Sequence, residues 1–378
     1  MLPEIIFWLS AFLVLYAYLG YALLLVALRA VVRPTQVAQE TDYFPSLTLI
    51  IPVYNEDRVI DNKLKNLDSL KYPRDRIVVL IVSDGSTDQT RERVRAYKGD
   101  LQIKFLELSQ RQGKAAALNL GLQHVASEIV VFTDASILLD ADALRHIVRP
   151  FQDTNIGCVS GEDHIPGGGG EGLYGRYELW LRNLESQVSS IAGASGSFYG
   201  MRARLCTPFL PGMAPDFLSV LSTVEQGSRA ITEPRAFGVM SSTKSARGEF
   251  QRNVRTLIRG MTALWYARAL LNPFRSGLFA LVLWSHKLAR WIVPFLLLAM
   301  LLANAWLLGE SFYRFTGALQ IAFYVLALLA LFGIKRVRDG LLGKIPMYFT
   351  VVNSAILIAW IQFLAGTRLE IWEPTKRQ

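Results

Sequence analysis

Hydrophobic residues are concentrated in four long stretches near the two ends of the chain, and these stretches contain no charged residue. They cover residues 5–28, 291–308, 317–334 and 345–366. Each is about as long as a helix that crosses the ~30 Å hydrocarbon core of a bilayer. A buried helix of a soluble protein rarely runs so far without a charge. The pattern therefore predicts four transmembrane helices and an integral membrane protein.

Between the first two predicted spans, apolar strand-like runs alternate with segments that are compatible with helices. Five runs stand out: LTLIIPVYNE, RIVVLIVSDGSTD, IKFLEL, EIVVFTDAS and GCVSGED. Helix-compatible segments of crossover length separate the first four, and the apolar residues within the runs are continuous. Such runs indicate an α/β fold with a parallel sheet that is covered on both faces. Because ligands of such folds bind beyond the carboxyl ends of the strands, we expect the functional site there.

The basic residues predict how the chain is oriented in the membrane. Arg29 and Arg33 follow the first span, whereas only Glu4 precedes it. Since basic residues favour the cytoplasmic side, we expect an outward amino terminus and a cytoplasmic segment from residue 34 to about 275, at the plasma (inner) membrane. A fourth span would leave the basic tail at residues 367–378 outside, against this rule, so the side of the tail stays open.

The formal net charge of +9 comes largely from one region beside the spans. Residues 244–290 hold nine Lys or Arg residues and one acid, and aromatic residues are interleaved with them. This composition is typical of interfacial helices that lie on an anionic leaflet, and no nucleic-acid-binding motif accompanies it. The predicted organisation is a transmembrane helix at 1–33, a soluble domain at 34–243, interfacial helices at 244–290, three transmembrane helices at 291–366 and a tail at 367–378.

Polar residues follow the first, second and fourth apolar runs, in the segments PVYNE, SDGSTD and TDAS. Any one of these acids could simply cap the helix that follows its strand. Three such strand ends together exceed what capping requires, and they favour a ligand site.

In the order PVYNE, SDGSTD, GKAAALN, TDAS and GASGSFYG, these motifs resemble those of the inverting family 2 nucleotide-sugar glycosyltransferases. The resemblance covers roughly residues 45–265. The flanking spans are similar to the membrane-embedded branch, which includes synthases of cellulose, hyaluronan, chitin oligosaccharides and poly-N-acetylglucosamine. The resemblance implies a type A glycosyltransferase-like domain with a mixed, mostly parallel sheet. It also implies hexosyltransferase activity with a nucleoside-diphosphate sugar, for which UDP is the expected nucleotide.

The resemblance assigns donor-side roles to matching positions. It places the nucleotide base near Asp84 and the phosphates near Lys114, for which a solvated lysine at a helix start is the alternative. Asp134 matches the first acid of the Asp-x-Asp metal motif, and Ser136 stands in the second place. One carboxylate can suffice for Mg²⁺ or Mn²⁺, because phosphates and water supply further ligands. The pocket for the base is expected to include Pro52, Tyr54 and Glu56.

On the acceptor side, the resemblance places Gly196 and Ser197 near the sugar that is extended. It makes Asp216 the general base, although Pro215 stands where the family has a further acid. The processive members carry Gln-x-x-Arg-Trp, and here Thr256 replaces the tryptophan, which puts processive synthesis in doubt. The residues expected to hold the diphosphate are Gln251, Arg252 and Arg255, with a lipid-facing basic helix as the alternative.

Together these features favour a membrane glycosyltransferase that transfers a sugar, with inversion, to a saccharide or lipid-linked acceptor in polysaccharide or glycoconjugate synthesis. Its expected partners are the donor, the acceptor and anionic lipids, without nucleic acid, and oligomerisation is left open. The alternatives are a processive synthase that also exports its product and a non-catalytic, nucleotide-sensing membrane protein. Spans without charged residues argue against an ion-coupled transporter.

Overall fold

The computed structural model describes residues 1–32, 42–164, 170–240, 246–338, 340–367 and 369. Within these residues, one eight-stranded sheet forms the centre of the soluble domain. Its strands are β1 Leu47–Val53, β2 Ile77–Ser83, β3 Gln102–Glu107, β4 Ile129–Thr133, β5 Ile137–Leu139, β6 Ile156–His164, β7 Phe198–Arg202 and β8 Arg229–Met240. The first four, with β6, are the five apolar runs of the sequence.

The strand order is β3-β2-β1-β4-β7-β6-β8-β5. Strand β1 pairs in parallel with β2 and β4, and β2 pairs in parallel with β3. Strand β7 is antiparallel to both β4 and β6, and β5 is antiparallel to β8, while β6 and β8 are parallel. This mixed sheet, together with its helices and four candidate spans, confirms the predicted fold class.

The helices in the described residues are α1 Leu2–Leu15, α2 Tyr21–Val31, α3 Ile60–Asp68, α4 Thr90–Arg95, α5 Lys114–Leu122, α6 Ala143–Val148, α7 Gly170–Val188, α8 Pro215–Glu225, α9 Ala246–Tyr266, α10 Pro273–Ser276, α11 Leu278–Val282, α12 Ala289–Trp306, α13 Ser311–Leu331, α14 Lys335–Arg338 and α15 Leu341–Leu364. Short π-helical segments, Tyr16–Gly20 and Leu283–Leu288, join α1 to α2 and α11 to α12. Each pair therefore forms one continuous long helix.

Both faces of the sheet are buried, and this explains why its central strands are apolar without alternation. Every residue of β1 is buried. Ile50 packs into a hydrophobic cluster on one face, whereas Leu49 and Ile51 pack into a second cluster on the other face. The polar residues that follow these strands are therefore the first that can reach a ligand.

Four helices are long and apolar enough to cross a membrane: Leu2–Val31, Leu278–Trp306, Ser311–Leu331 and Leu341–Leu364. At most 33% of the apolar window of each is buried inside the protein, so most of this surface faces outward. The second of these helices begins at Leu278, within the range predicted to be interfacial. The domain boundaries predicted at 33/34 and 243/244, and the tail apart from residues 367 and 369, lie outside the described residues.

Polar contacts fix the soluble domain on the spans. Glu185 of α7 is fully buried and accepts a hydrogen bond from Tyr21 of the first span at 2.8 Å. The same carboxylate contacts Nδ1 of His286 in the second span. The two spans also meet directly, since the Tyr16 and Ser285 hydroxyls lie 2.7 Å apart. These contacts determine which parts of the second span face the soluble domain.

Candidate active site

The loops after β1 and β2 are joined by hydrogen bonds. Asn55, in the left-handed region at φ 53°, accepts a bond from the Thr87 N–H at 2.8 Å through its side-chain oxygen. The Asp88 carboxylate accepts one bond from the Asp57 N–H and another from the Thr90 N–H, each at 3.0 Å. Asp88 therefore links the two loops and also accepts the backbone N–H of Thr90, where α4 begins.

Asp84 positions the loop that leads to Lys114. Its buried carboxylate accepts hydrogen bonds from the backbone N–H groups of Gln112 at 2.7 Å and Gly113 at 2.8 Å. Next to it, Gly85 has φ 71°, and a Cβ atom there would lie 2.9 Å from the backbone of Gln110 and Arg111. Only glycine allows this close approach. The predicted contact between Asp84 and a base stays a prediction.

The predicted base side also carries a stacked pair. The Arg111 guanidinium lies over the ring of half-buried Tyr54, 4.0 Å from its centroid. Pro52 is buried, and Glu56 is half-buried with its backbone N–H bonded to the Thr90 hydroxyl at 2.9 Å. The predicted contacts of Pro52, Tyr54 and Glu56 with a base stay a prediction.

The structure brings together four predicted site residues that are far apart in the sequence. The Lys114 ammonium lies 2.6 Å from Oδ1 of Asp134 and donates to the Gly196 carbonyl at 3.3 Å. The backbone N–H of Asp134 donates to the Ser197 carbonyl at 3.0 Å. The donor-side acid and the GASGSF loop are thus adjacent, because β7 pairs with β4.

The residues at the predicted metal position fit a Mg²⁺ or Mn²⁺ ion that is shared with a diphosphate. Asp134 and half-buried Ser136 flank the turn between β4 and β5 and offer a carboxylate and a hydroxyl oxygen. No group of three or more His, Cys, Asp or Glu residues with metal-site geometry occurs in the part of the chain that the structure describes. One carboxylate is enough when phosphate and water oxygens complete the coordination.

Buried Lys63 supports this turn from below, and sequence reasoning missed it. Its side chain is 0% exposed, and its ammonium donates to the Thr133 hydroxyl at 3.1 Å and to the Ile137 carbonyl at 2.7 Å. Burial lowers the pKa of Lys63 to about 7, and the Asp134 charge opposes this change. Helical spacing was an available signal, because Lys63 lies three residues after Ile60 and four before Leu67, on the apolar face of α3. Its partners, about seventy residues away, could not be read from the sequence.

Asp216 lies in the first turn of α8 with its carboxylate facing Gly196. A Cβ atom at Gly196 would lie 3.9 Å from the carboxyl carbon of Asp216. Burial raises the pKa of Asp216, while the positive charge of Lys114 opposes this increase. No side chain of the described residues donates a hydrogen bond to the carboxylate, so its oxygens can accept a proton from a ligand.

Two cavities meet at Asp216. The first is small, about 10 Å³, and is lined by Pro52, Lys114, Asp134, Gly196 and Asp216 among others. The second, about 160 Å³, lies between the soluble domain and the second span, and Asp216 forms part of its wall as well. Asp216 therefore lines both the cavity that contains Lys114 and Asp134 and a separate space beside the second apolar helix.

Two other groups of residues complete the description of the site. The predicted diphosphate ligands Gln251, Arg252 and Arg255 lie on α9, outside the residues that line either cavity. Sequence reasoning missed Asp163, whose half-buried side chain accepts a hydrogen bond from the Ser195 hydroxyl at 2.7 Å. Burial raises the pKa of Asp163, and the nearby negative charge of Asp134 adds to this increase. Its position at the end of the fifth apolar run was an available signal.

Comparisons with known proteins agree with this arrangement. Residues 48–202 match the model of Glycosyl transferase family 2. The poly-beta-1,6-N-acetyl-D-glucosamine synthase of Staphylococcus aureus strain COL is 33% identical over 125 residues, which are 33% of this chain and 30% of that protein. The synthase of Staphylococcus epidermidis is 31% identical over 134 residues, 35% of this chain and 32% of that protein. These matches thus span about a third of the relatives' length.

A solved structure is similar over almost the whole chain. It is the mannosyltransferase PcManGT from Pyrobaculum calidifontis in complex with GDP-Man and Mn²⁺, with 27% identity and a TM-score of 0.75. The similarity covers 97% of this chain and 100% of that one. The fold is therefore that of a type A glycosyltransferase-like domain combined with membrane-type helices. Within it, residues 48–202 are the part that is similar to the Glycosyl transferase family 2 model.

Proposed function

We propose that the protein transfers a sugar from a nucleoside-diphosphate donor to a hydroxyl group of a saccharide or lipid-linked acceptor, with inversion, in polysaccharide or glycoconjugate synthesis. The observation that carries this proposal is the position of Asp216 in the wall of both cavities. A base at this position can face the anomeric carbon from the side opposite the leaving diphosphate.

The first cavity supports the donor half of the proposal. Lys114 supplies an ammonium that can pass from Asp134 to a phosphate oxygen, since a charged donor binds phosphate strongly. A Mg²⁺ or Mn²⁺ ion held by Asp134 and Ser136 would neutralise the leaving diphosphate. Asp84 keeps the Lys114 loop in place through its backbone contacts. UDP is the proposed nucleotide, and GDP-sugars belong in the test because the solved relative holds GDP-Man.

Asp216 supports the acceptor half. In an inverting transfer, the acceptor oxygen loses its proton as it attacks, and a carboxylate within hydrogen-bond reach takes that proton. The pKa of Asp216 is raised by burial, which makes the carboxylate a stronger base than an exposed aspartate. No side chain of the described residues donates a hydrogen bond to its carboxylate oxygens. Asp216 also lies on a different segment from Asp134, and this suits a base that acts on the side of the sugar opposite the metal and the leaving diphosphate.

The proposal includes a membrane location. The four apolar helices support insertion, and the protein would lie in the plasma (inner) membrane with its glycosyltransferase domain in the cytoplasm, where nucleotide sugars are made. The basic residues of α9 would contact anionic lipids at the surface.

The test uses the full-length protein in lipid nanodiscs with UDP- and GDP-sugars and with Mg²⁺ or Mn²⁺. Asp216→Asn keeps the shape of the side chain but removes the basic oxygen. We expect donor affinity close to that of the parent and transfer reduced by about 10²- to 10⁴-fold. In the parent, transfer should fall as the pH falls through the raised pKa of Asp216, because the protonated acid cannot act as a base.

Glu225→Gln is the matched control. Glu225 lies at the other end of the same helix, where it pairs with Arg275 at 2.9 Å and is largely exposed. This variant should transfer at the parental rate. The proposal would be contradicted if the parent released nucleotide from none of the donors. It would also be contradicted if Asp216→Asn transferred sugar at a rate within a few-fold of the parental rate.

A further inference from the structure

The hydroxyl group of Ser195 organises the short loop that leads into β7. It accepts hydrogen bonds from the backbone N–H groups of Ser197 and Phe198, each at 3.1 Å. It donates its own hydrogen to Oδ1 of Asp163 at 2.7 Å. Because a hydroxyl group has one hydrogen and two lone pairs, these three bonds use all of its hydrogen-bonding capacity. Asp163 therefore determines the direction in which this hydroxyl group points.

The loop that this hydroxyl group organises carries contacts of the candidate active site. The Gly196 carbonyl accepts a bond from the Lys114 ammonium at 3.3 Å. The Ser197 carbonyl accepts a bond from the backbone N–H of Asp134 at 3.0 Å. On its other side, Gly196 faces the carboxylate of Asp216, since a Cβ atom at this glycine would lie 3.9 Å from the carboxyl carbon. A displaced loop would therefore change the geometry on both sides of the site.

Strand β6 supports the loop from two positions. The Ser160 hydroxyl oxygen accepts a bond from the Ser195 N–H at 2.8 Å, and Asp163 accepts the bond from the Ser195 hydroxyl. Residues three apart in a regular strand point to opposite faces, but the pairing of β6 with β8 is irregular after Ser160. In this segment, a Cβ atom at Gly161 would overlap the ring of Phe198, so only glycine lets β6 come this close to the loop. Irregularities of this kind redirect side chains beside active sites.

We propose that Asp163 is a positioning residue of the transfer site, which acts by fixing the hydroxyl group of Ser195. Through this contact it keeps the two carbonyls of the loop where Lys114 and Asp134 bind them. This inference rests on the proposed function and gives a role to an acid that neither the metal nor the base requires. Because the role needs an acceptor oxygen and no charge, an asparagine at this position should perform it as well.

The first experiment compares Asp163→Ala, Asp163→Asn and the matched control Asp153→Ala in nanodiscs. Asp153 precedes the other end of β6, where its carboxylate also accepts a bond from a loop, from the Asn155 N–H at 2.9 Å. We expect Asp163→Ala to lower kcat about ten- to hundredfold, because a misplacement of about 1 Å can cost 10²-fold in rate. The dissociation constant of the donor should stay within about threefold, because the loops after β1 and β2 keep their own contacts. Asp163→Asn and Asp153→Ala should keep a kcat close to that of the parent.

Two further measurements separate positioning through Ser195 from a direct contact between Asp163 and a ligand. The single variants Asp163→Ala and Ser195→Ala and the double variant form a double-mutant cycle. The double variant should transfer no more slowly than Ser195→Ala, because both changes remove the same contact. Hydrogen–deuterium exchange of residues 195–198 does not depend on activity. It should be faster in Asp163→Ala than in the parent and should be parental in Asp163→Asn, because the lost bond lets the loop open more often.

Several results would overturn the role of Asp163. One is a kcat of Asp163→Ala that equals that of Asp153→Ala. Another is a loss in Asp163→Asn as large as that in Asp163→Ala, which would mean that the charge matters and not the bond. Losses that multiply in the double variant would also overturn it, as would parental exchange of residues 195–198 in Asp163→Ala. A parent that transfers no sugar from any donor would instead contradict the proposed function, and faster exchange in Asp163→Ala would then still support the contact that holds the loop.

Discussion

Lys63→Met tests whether the buried lysine beneath the Asp134 turn is neutral in the folded protein. The folded pKa is about 7, against an ordinary value of 10.5. Each unit of difference between the folded and unfolded pKa is worth about 1.4 kcal/mol, so keeping the charge buried below pH 7 costs on the order of 5 kcal/mol. Methionine has a similar length and no charge, but it cannot bond to Thr133 and Ile137.

The sign of the pH effect follows from proton counting. At pH 7 about half of the folded molecules hold a proton on Lys63, and from pH 8 to pH 10 the unfolded chain holds this proton while the folded protein largely does not. The free energy of unfolding of the parent therefore rises with pH, approaching about 1.4 kcal/mol per pH unit, and gains roughly 2 kcal/mol from pH 7 to pH 9. The variant lacks this contribution. The lost hydrogen bonds, on the order of 1–3 kcal/mol each, do not depend on pH in the same way.

The assay is thermal unfolding in nanodiscs without metal at several pH values, for the parent, Lys63→Met and the control Lys65→Met. Lys65 lies on the same helix but is exposed. For a domain of this size, 1 kcal/mol shifts the melting temperature by about 2–4 °C. The difference between the parent and Lys63→Met should therefore grow by roughly 4–8 °C from pH 7 to pH 9, in favour of the parent. A difference that stays constant over this range, or one that Lys65→Met reproduces, would refute the reasoning.

Two further predictions concern metal use and product length. Asp134→Ala should abolish transfer at any practical metal concentration. Ser136→Asp should instead lower the concentration of Mn²⁺ needed for half-maximal transfer, because a second carboxylate strengthens the site. Metal titrations of both variants check this, and near-parental turnover by Asp134→Ala would contradict it. With Thr256 in place of the tryptophan that processive members carry, products should be short, often single additions. Mass spectrometry that shows long polymer without short intermediates would be the contrary result.

The sequence alone predicted the features that depend on local composition. Uncharged apolar stretches indicated four spans because a bilayer core requires that length of apolar helix, and the four candidate helices of the structure agree with them. Continuous apolar runs indicated β1, β2, β3, β4 and β6, because strands buried on both faces have no polar side. The polar residue after the fourth run directed attention to Asp134, whereas Asp216 was indicated by the family resemblance and not by local composition.

The tertiary structure alone determined how distant segments meet. Strand β7 lies between β4 and β6, so the Gly196 loop comes to lie beside Asp134, and no local pattern encodes that order. The partners of Lys63 lie about seventy residues away, and the cavity beside Asp216 is closed by Trp291 from a membrane helix. Periodicity reports which face of an element is buried, but not which element covers it. Those contacts arise from packing between elements, and they became visible only in three dimensions.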